Sequence, residues 1–377
     1  MPYSLGPNIT RTGLVFTYDT GDQTNSWKGE PTTNLVGSPF SVTSGYATTL
    51  STTDNVTLNW NGQNTGGLIS GNGYFAYVSA ATTNGNKYTT SWYVKGGTTN
   101  SINFVWGGAH QGNRTDFNFN TSTGAITGVS LASGEIYGAS YLNNGWWQVY
   151  YSSTLSSGNS YYPQITLNGT AYVGGLQIEQ KAYPTPFVQG TRSTTQGLLD
   201  ISGNNNTVTL TNMTYGANNA ISFDGTDDYI DLGNPTAFQS LNSGTIEAIY
   251  YRVASTGTYQ MIFTDAGSDM EITYSANVLQ FYIGNSGISY THAVTGQWFH
   301  VAGVWTPATK TLYLNGVQVA TGGNGLTTGN RTRYVGSRGG SYAFNGRVPI
   351  VKVYNQSLSA QQVLQNYNSY KTRFNIT

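Results

Sequence analysis

The sequence predicts an all-β protein of two antiparallel β-sandwich domains with one short helix near the C-terminus, and three observations lead there. Trp298-Phe-His-Val-Ala-Gly-Val-Trp and Lys310-Thr-Leu-Tyr-Leu-Asn-Gly-Val-Gln-Val-Ala are strand-like runs, and Asn315-Gly316 inside the second is a ready-made hairpin turn. Both turn residues tolerate positive φ, which suits a two-residue type I′ turn, and Leu312, Leu314, Val317 and Val319 place apolar side chains on either side of it. Composition is the second observation: 48 Gly, 29 Tyr and only 8% charged residues favour half-buried strands such as Tyr88-Thr-Thr-Ser-Trp-Tyr-Val over amphipathic helices. The third is alternation. From Trp146 to Tyr151 the residues Trp147, Val149 and Tyr151 separate from Trp146, Gln148 and Tyr150, which is the period of a two-faced strand.

With 377 residues the chain is too long for one small core and suits two β domains of about 150 to 200 residues each. Sixteen basic residues balance sixteen acidic ones, so no charged field favours nucleic acid or anionic lipid as a partner. A net charge near zero removes the repulsion that keeps monomers apart, which favours a chain that lives in an assembly. Without cysteine, disulfides and thiolate metal sites are excluded and ordinary hydrophobic cores must hold the fold. The opening Met1-Pro-Tyr-Ser-Leu-Gly-Pro-Asn has no basic segment followed by an apolar one, so no secretory signal is expected. No apolar run reaches the length of a membrane span, so membrane insertion is not expected either.

The C-terminal half carries an ordered series of motifs: Leu199-Asp-Ile-Ser-Gly-Asn-Asn-Asn, then Ile221-Ser-Phe-Asp-Gly-Thr-Asp-Asp-Tyr-Ile-Asp-Leu, strands expected at 244–253, 259–264, 269–274 and 278–283, the hairpin above, Arg333-Tyr-Val-Gly-Ser, and Phe344-Asn-Gly-Arg-Val-Pro-Ile-Val-Lys-Val-Tyr. In this order they resemble the laminin-G-like or concanavalin-A-like jelly roll, over residues 195 to 373. The helix follows. Ser359-Ala-Gln-Gln is a capping box with Ser359 as N-cap and Gln362 reaching back, and Val363, Leu364 and Tyr367 form the expected apolar stripe.

Gly13-Leu-Val-Phe-Thr-Tyr-Asp-Thr-Gly-Asp resembles the first strand of the same family, which normally runs almost directly into the segment found here at residue 200. The expected organisation is therefore an N-terminal segment, 1–30, pairing with the C-terminal domain, 193–377, and an inserted domain at 31–192. Gly29-Glu-Pro-Thr-Thr-Asn and Tyr183-Pro-Thr-Pro-Phe-Val-Gln-Gly-Thr-Arg have the polar, proline-containing character of the joints. Within the insert, the stretches beginning at Tyr88, Asn144 and Ala171 resemble strands of a carbohydrate-binding-module-like jelly roll of the kind seen in bacteriophage structural proteins.

Three chemistries compete. Hydrolysis of a glycoside needs two carboxylates facing each other across a cleft. Glutamate occurs only at 30, 135, 179, 247 and 271, and Asp269-Met-Glu271, two carboxylates on one side of a strand, is the nearest approach, expected as a solvated face. His110, His292 and His300 stand beside no nucleophile motif, and His300 is expected to be structural. Calcium wants several converging oxygens, and Asp224, Asp227, Asp228 and Asp231 offer them; the competing reading is a turn around Gly225 closed by Asx hydrogen bonds. Calcium is the one cofactor these residues suggest. Glycan recognition needs flat rings flanked by amides and hydroxyls, and the candidates are Trp106, His110 and Arg114 in a Gly-rich segment expected as a loop, and Arg338 and Tyr342 beside Gly339-Gly340. Trp92, Trp147, Trp298 and Trp305 are expected in the core.

The whole arrangement resembles a virion protein of tailed bacteriophages. That resemblance implies a non-enzymatic structural component, a capsid decoration or part of a tail fibre or other appendage, made in the host cytoplasm without a signal peptide. Other virion proteins, host-surface glycans and further copies of the chain, a trimer first among the oligomers, are the partners it implies. A bacterial carbohydrate-binding adhesin module and a glycoside hydrolase are the alternatives, since fold resemblance does not fix function.

Overall fold

A computed structural model describes residues 9–77, 80–83, 85–106, 115–130, 135–154, 162–215, 221–255, 258–284, 286–323 and 327–377. Strands dominate throughout, and the helix Ala360–Phe374 closes the chain. The polypeptide divides into two compact units, one formed by the chain up to Pro31 together with Ser193–Thr377, the other by Thr32–Arg192.

The first unit is a sandwich of two antiparallel sheets. One orders strands Thr214–Tyr215, Ile221–Asp224, Asn345–Tyr354, Gly244–Arg252, Trp298–Trp305, Thr309–Leu314 and Val317–Gly323, with Leu14–Asp19 added alongside Asn345–Tyr354. The other orders Thr209–Thr211, Tyr229–Asp231, Arg333–Val335, Tyr259–Asp265, Met270–Ser275, Val278–Ile283 and Ser286–Thr291. Leu14–Asp19 lies antiparallel to the C-terminal strand, Tyr18 opposite Val351, although more than 300 residues of sequence separate them. Asp200 helps to hold this strand: its Oδ1 accepts the Thr17 N–H at 3.1 Å and its Oδ2 accepts the Asn206 amide at 2.7 Å.

Inward residues of both sheets, among them Phe16, Tyr250, Phe263, Ile272, Phe281, Trp305 and Val353, form one core. Asn315 and Gly316 turn the hairpin with φ of +50° and +76°. Its outer strand is less buried than its apolar pattern suggests, because it ends the sheet: Val317 is exposed. The helix packs through Val363, Asn366, Tyr367 and Tyr370, whereas Leu364, expected in its stripe, faces solvent. A polar Asn takes the place of the leucine because the surface beneath is charged, as the Glu247 cluster described below shows.

In the second unit Gln164–Glu179 is the longest strand. Its first half pairs with Gly66–Tyr77 on one side and Ser101–Trp106 on the other, and its second half pairs with Lys87–Gly96, with a bulge between Val173 and Gly175. Strands Thr115–Asn120 and Ile126–Ser130 extend one end, and Trp146–Thr154 and Ile136–Asn143 the other. Ile69, Phe75, Trp92, Ile102, Phe104, Phe117, Val149, Tyr151, Ile165 and Leu176 share the core. The chain leaves and returns side by side, Thr32–Thr33 pairing with Thr191–Arg192. Beneath that pair the buried Glu179 accepts the Thr32 hydroxyl at 2.8 Å and the Thr185 N–H at 2.8 Å.

Tryptophans differ from expectation in part. Trp92 and Trp305 are fully buried, but Trp147 and Trp298 are only partly so, and Trp146 is buried instead. Both faces of its strand are covered: Trp147 and Val149 meet the core, while Trp146 lies under Trp60, edge to face at 6.4 Å, with its Nε1 donating to the Leu58 carbonyl at 3.0 Å.

Candidate functional site

The loop between strands Arg333–Val335 and Asn345–Tyr354 is folded back on itself by a tight turn. Arg338 and Ser341 exchange backbone hydrogen bonds of 2.7 and 3.2 Å around Gly339 and Gly340, whose φ are +57° and +92°. Two successive positive φ values favour glycine, so this dipeptide is what aims Arg338. The Ser337 hydroxyl accepts the Gly340 N–H at 2.8 Å and holds the turn. Arg338 then reaches across the outer face of the second sheet and pairs with Glu271. The Tyr342 ring lies 5.4 Å from the guanidinium and meets Tyr259 edge-on at 5.7 Å, and the Tyr342 carbonyl accepts the Met261 N–H at 3.1 Å.

Together Tyr259, Met261, Ser268, Glu271, Tyr282, Arg338 and Tyr342 line a pocket of about 280 Å³. Tyr282 sits directly opposite Glu271 on the neighbouring strand. Tyr259 and Tyr342 are exposed at the rim, and Glu271 forms the buried floor. Burial pushes the Glu271 carboxyl up, while the Thr264 hydroxyl, 2.7 Å away, and Arg338 pull it back. The site thus offers one carboxylate–guanidinium pair, three phenol rings, a thioether and the Ser268 hydroxyl. It can grip a polar ligand by hydrogen bonds and rings, and among the described residues its wall holds one carboxylate, that of Glu271.

Asp269 and Glu271, expected on a solvated face, are both buried, because each is covered by an arginine: Asp269 accepts Arg331 Nε at 2.5 Å and Glu271 accepts Arg338. Of the sequence candidates, Arg338 and Tyr342 come together in one pocket. Trp106 ends strand Ser101–Trp106 instead of lying in a loop, and His110 and Arg114 lie outside the described residues. Tyr259, Met261, Ser268, Glu271 and Tyr282 make up the rest of the pocket, and sequence reasoning missed them as ligand contacts. Period-two spacing on strands was the available signal for all but Ser268, but it does not say that a loop 70 residues later folds over them.

The acidic turn brings Asp224, Asp227 and Asp228 together, one oxygen of each lying within 4.8 Å of the others. Asp231 is not part of this group; its Oδ1 accepts the Gly233 N–H at 2.7 Å. Asp224 Oδ1 closes the turn on the Thr226 N–H at 2.7 Å, Asp228 Oδ2 accepts the Asp224 N–H at 2.8 Å, and Asp227 Oδ2 accepts the Asn212 amide at 2.8 Å. Burial raises the Asp228 carboxyl, a backbone N–H opposes it, and neighbouring Asp224 raises it further. Three carboxylates fit a hard cation such as calcium, which takes six to eight oxygens and would draw the remainder from backbone carbonyls and water. His300 is buried with its Nε2 3.5 Å from Glu247 Oε1.

Residues 224–364 match the concanavalin A-like lectin/glucanases superfamily. The matched stretch is the greater part of the first unit and contains both the pocket and the acidic turn. Among solved structures, domain 4 of AbnA, a GH43 extracellular arabinanase from Geobacillus stearothermophilus in complex with arabinotriose, is similar at 18% identity and a TM-score of 0.39, over 46% of this chain and 93% of that one. The binding domain of botulinum neurotoxin serotype D is similar at 12% identity and a TM-score of 0.37, over 46% of this chain and 49% of that one. A botulinum neurotoxin type C structure, described as dependent on two ganglioside molecules for cell entry, is similar at 14% identity and a TM-score of 0.38, over 47% of this chain and 50% of that one. This chain spans about half the length of the toxin domains it matches. The comparison with curated proteins found no match.

Proposed function

We propose that this protein is a non-enzymatic recognition component of a tailed-bacteriophage virion, a capsid decoration or part of a tail fibre or other appendage, that meets host-surface glycans through the Arg338–Tyr342 pocket. The observation that carries the recognition reading is the pairing of Glu271 with Arg338 on the pocket floor beneath exposed Tyr259 and Tyr342. A glycosidase holds two carboxylates on opposite sides of the scissile bond, one of them free to give up a proton. Here the single carboxylate of the wall is held by a guanidinium and a hydroxyl, which suits a binding site. The phenol rings supply flat surfaces for the C–H faces of a sugar, and the ion pair supplies donors and acceptors for its hydroxyls. A pocket of about 280 Å³ suits one or two sugar units.

The virion reading is supported by the resemblance of the chain to phage structural proteins and by its near-zero charge, which favours assembly. Glycan-array binding by the whole chain, repeated with Arg338→Ala and Tyr342→Ala, tests recognition: loss of a bound glycan in both variants is expected, and unchanged binding would remove this pocket from the account. Mass spectrometry of purified particles tests location. Detection in the virion is expected, and absence from the particle defeats that reading without touching the first.

A further inference from the structure

Between the C-terminal helix and the sheet it covers lie three side chains with more chemistry than packing requires. Glu247 and Lys352 stand directly opposite each other on the neighbouring strands Gly244–Arg252 and Asn345–Tyr354, and Asn366 comes down on them from the buried face of the helix. All three are at most 1% exposed. One oxygen joins them: Glu247 Oε2 lies 3.5 Å from Lys352 Nζ and accepts the Asn366 amide at 2.7 Å.

Each group is also fixed from its other side. Lys352 Nζ sits 4.2 Å from the centre of the Tyr370 ring, which lies one helical turn beyond Asn366. Asn366 Nδ2 donates a second hydrogen bond, of 3.0 Å, to the hydroxyl of Tyr354, two residues from Lys352 and on the same face of its strand. Asn366 Oδ1 accepts the Thr10 N–H at 2.8 Å. Glu247 Oε1 faces His300 Nε2 at 3.5 Å. Ile249, Ile350 and Tyr367 on one side and Val363 and Leu358 on the other belong to small buried apolar clusters that flank the group.

We propose that Lys352 and Asn366 condense into an intramolecular isopeptide bond, with Glu247 carrying the protons, so that the helix becomes covalently tied to the sheet. An ion pair needs only Lys352 and Glu247; the amide on the same oxygen, with its carbonyl held by a backbone N–H, adds an electrophile. The Glu247 carboxylate takes one proton from the Lys352 ammonium, and the freed amine attacks Asn366 Cγ. Negative charge that develops on Oδ1 is steadied by the Thr10 N–H. Glu247 then gives its proton to Nδ2 and takes up the one that Nζ sheds. The Nζ–Cγ bond replaces the Cγ–Nδ2 bond and ammonia leaves, so atoms and protons balance without an oxidant or a cofactor. Holding the groups in place replaces the encounter of two molecules, burial keeps water from competing for the carbonyl, and a neutral amide takes the place of a buried ammonium, whose desolvation is costly.

The test is the mass of the whole purified chain, measured after denaturation. Expected are a wild-type chain lighter than its sequence by one ammonia and a proteolytic digest containing a branched peptide that joins the segments of Lys352 and Asn366. Lys352→Arg keeps the charge but cannot form the link, and Glu247→Gln keeps the shape but cannot carry the proton. Both variants should show the full sequence mass, with circular dichroism checking that they fold. A wild-type chain of full mass overturns the proposal whatever the variants do. So does an ammonia loss that persists in Lys352→Arg, or one that tandem mass spectrometry places elsewhere, as in a succinimide at an Asn-Gly step. A branched peptide still formed in Glu247→Gln would overturn the proton-carrying role of Glu247.

Discussion

Single residues in the first unit are held by chemistry that can be titrated. His292 is buried against Phe299, 4.6 Å between ring centroids and edge to face, and its Nδ1 shares a 2.6 Å hydrogen bond with Tyr274, whose ring lies 4.0 Å from the Arg252 guanidinium. Burial, and then the charge of Arg252, lower its pKa below the ordinary 6.5. The unfolded chain therefore takes up a proton that the folded chain refuses, so stability is fully present above pH 6.5 and is lost as pH falls from there through the folded value. Urea titrations between neutral and mildly acidic pH should show this decline, and His292→Asn should flatten it; an equal decline in the variant would assign it to other groups. Gly336 is a steric case. Its φ is +91° and a Cβ there would sit 2.0 Å from the buried Phe223 ring. Gly336→Ala should destabilise by about 1–3 kcal/mol or more through overpacking and backbone strain together, read as a lower denaturation midpoint.

At the scale of one element, the helix shows how local and tertiary signals divide. Its start was legible: the Ser359 side chain accepts the Gln362 N–H and the Gln362 side chain accepts the Ser359 N–H. Its buried face was not, because that face answers to Glu247 on the sheet below. Burial alone would raise the Glu247 carboxyl, but Lys352 at 3.5 Å, His300, and the Asn366 amide at 2.7 Å together hold it below its ordinary value. Asn366 is thus the partner of a buried charge, and nothing in a helical period announces that. Ser359→Ala should cost about 1 kcal/mol, whereas Leu364→Ser, at an exposed position, should cost little; thermal melts of the two variants compare them directly. A larger loss from Leu364→Ser would mean that the leucine is covered in the functional assembly.

For the whole molecule, the joint is the testable feature. Because Thr32–Thr33 and Thr191–Arg192 pair side by side, the chain can be cut there with little distortion. Joining Pro31 to Ser193 through a short glycine-containing link should leave a folded first unit with a cooperative melt, and residues 32–192 alone should fold as the second. An unfolded product from either piece would mean that its core depends on the other. The same division bears on function. The Arg338–Tyr342 pocket lies wholly in the first unit, so on the proposed reading the excised first unit should keep any glycan binding that the whole chain shows and the second should not.

The all-β class, the hairpin at Asn315-Gly316, the strands between 244 and 283 and the helix cap were determined by the sequence itself, because alternation, turn residues and capping are relations between near neighbours. What only the tertiary structure decided were relations between distant ones. Register set Glu247 opposite Lys352 beneath Asn366 of the helix, a returning loop set Arg338 upon Glu271, and a second covering layer buried Trp146 in place of full burial for Trp147. A period of two says that a side chain faces outward; which strands lie beside it, and whether a loop lies over it, depend on contacts made when the sheets assemble.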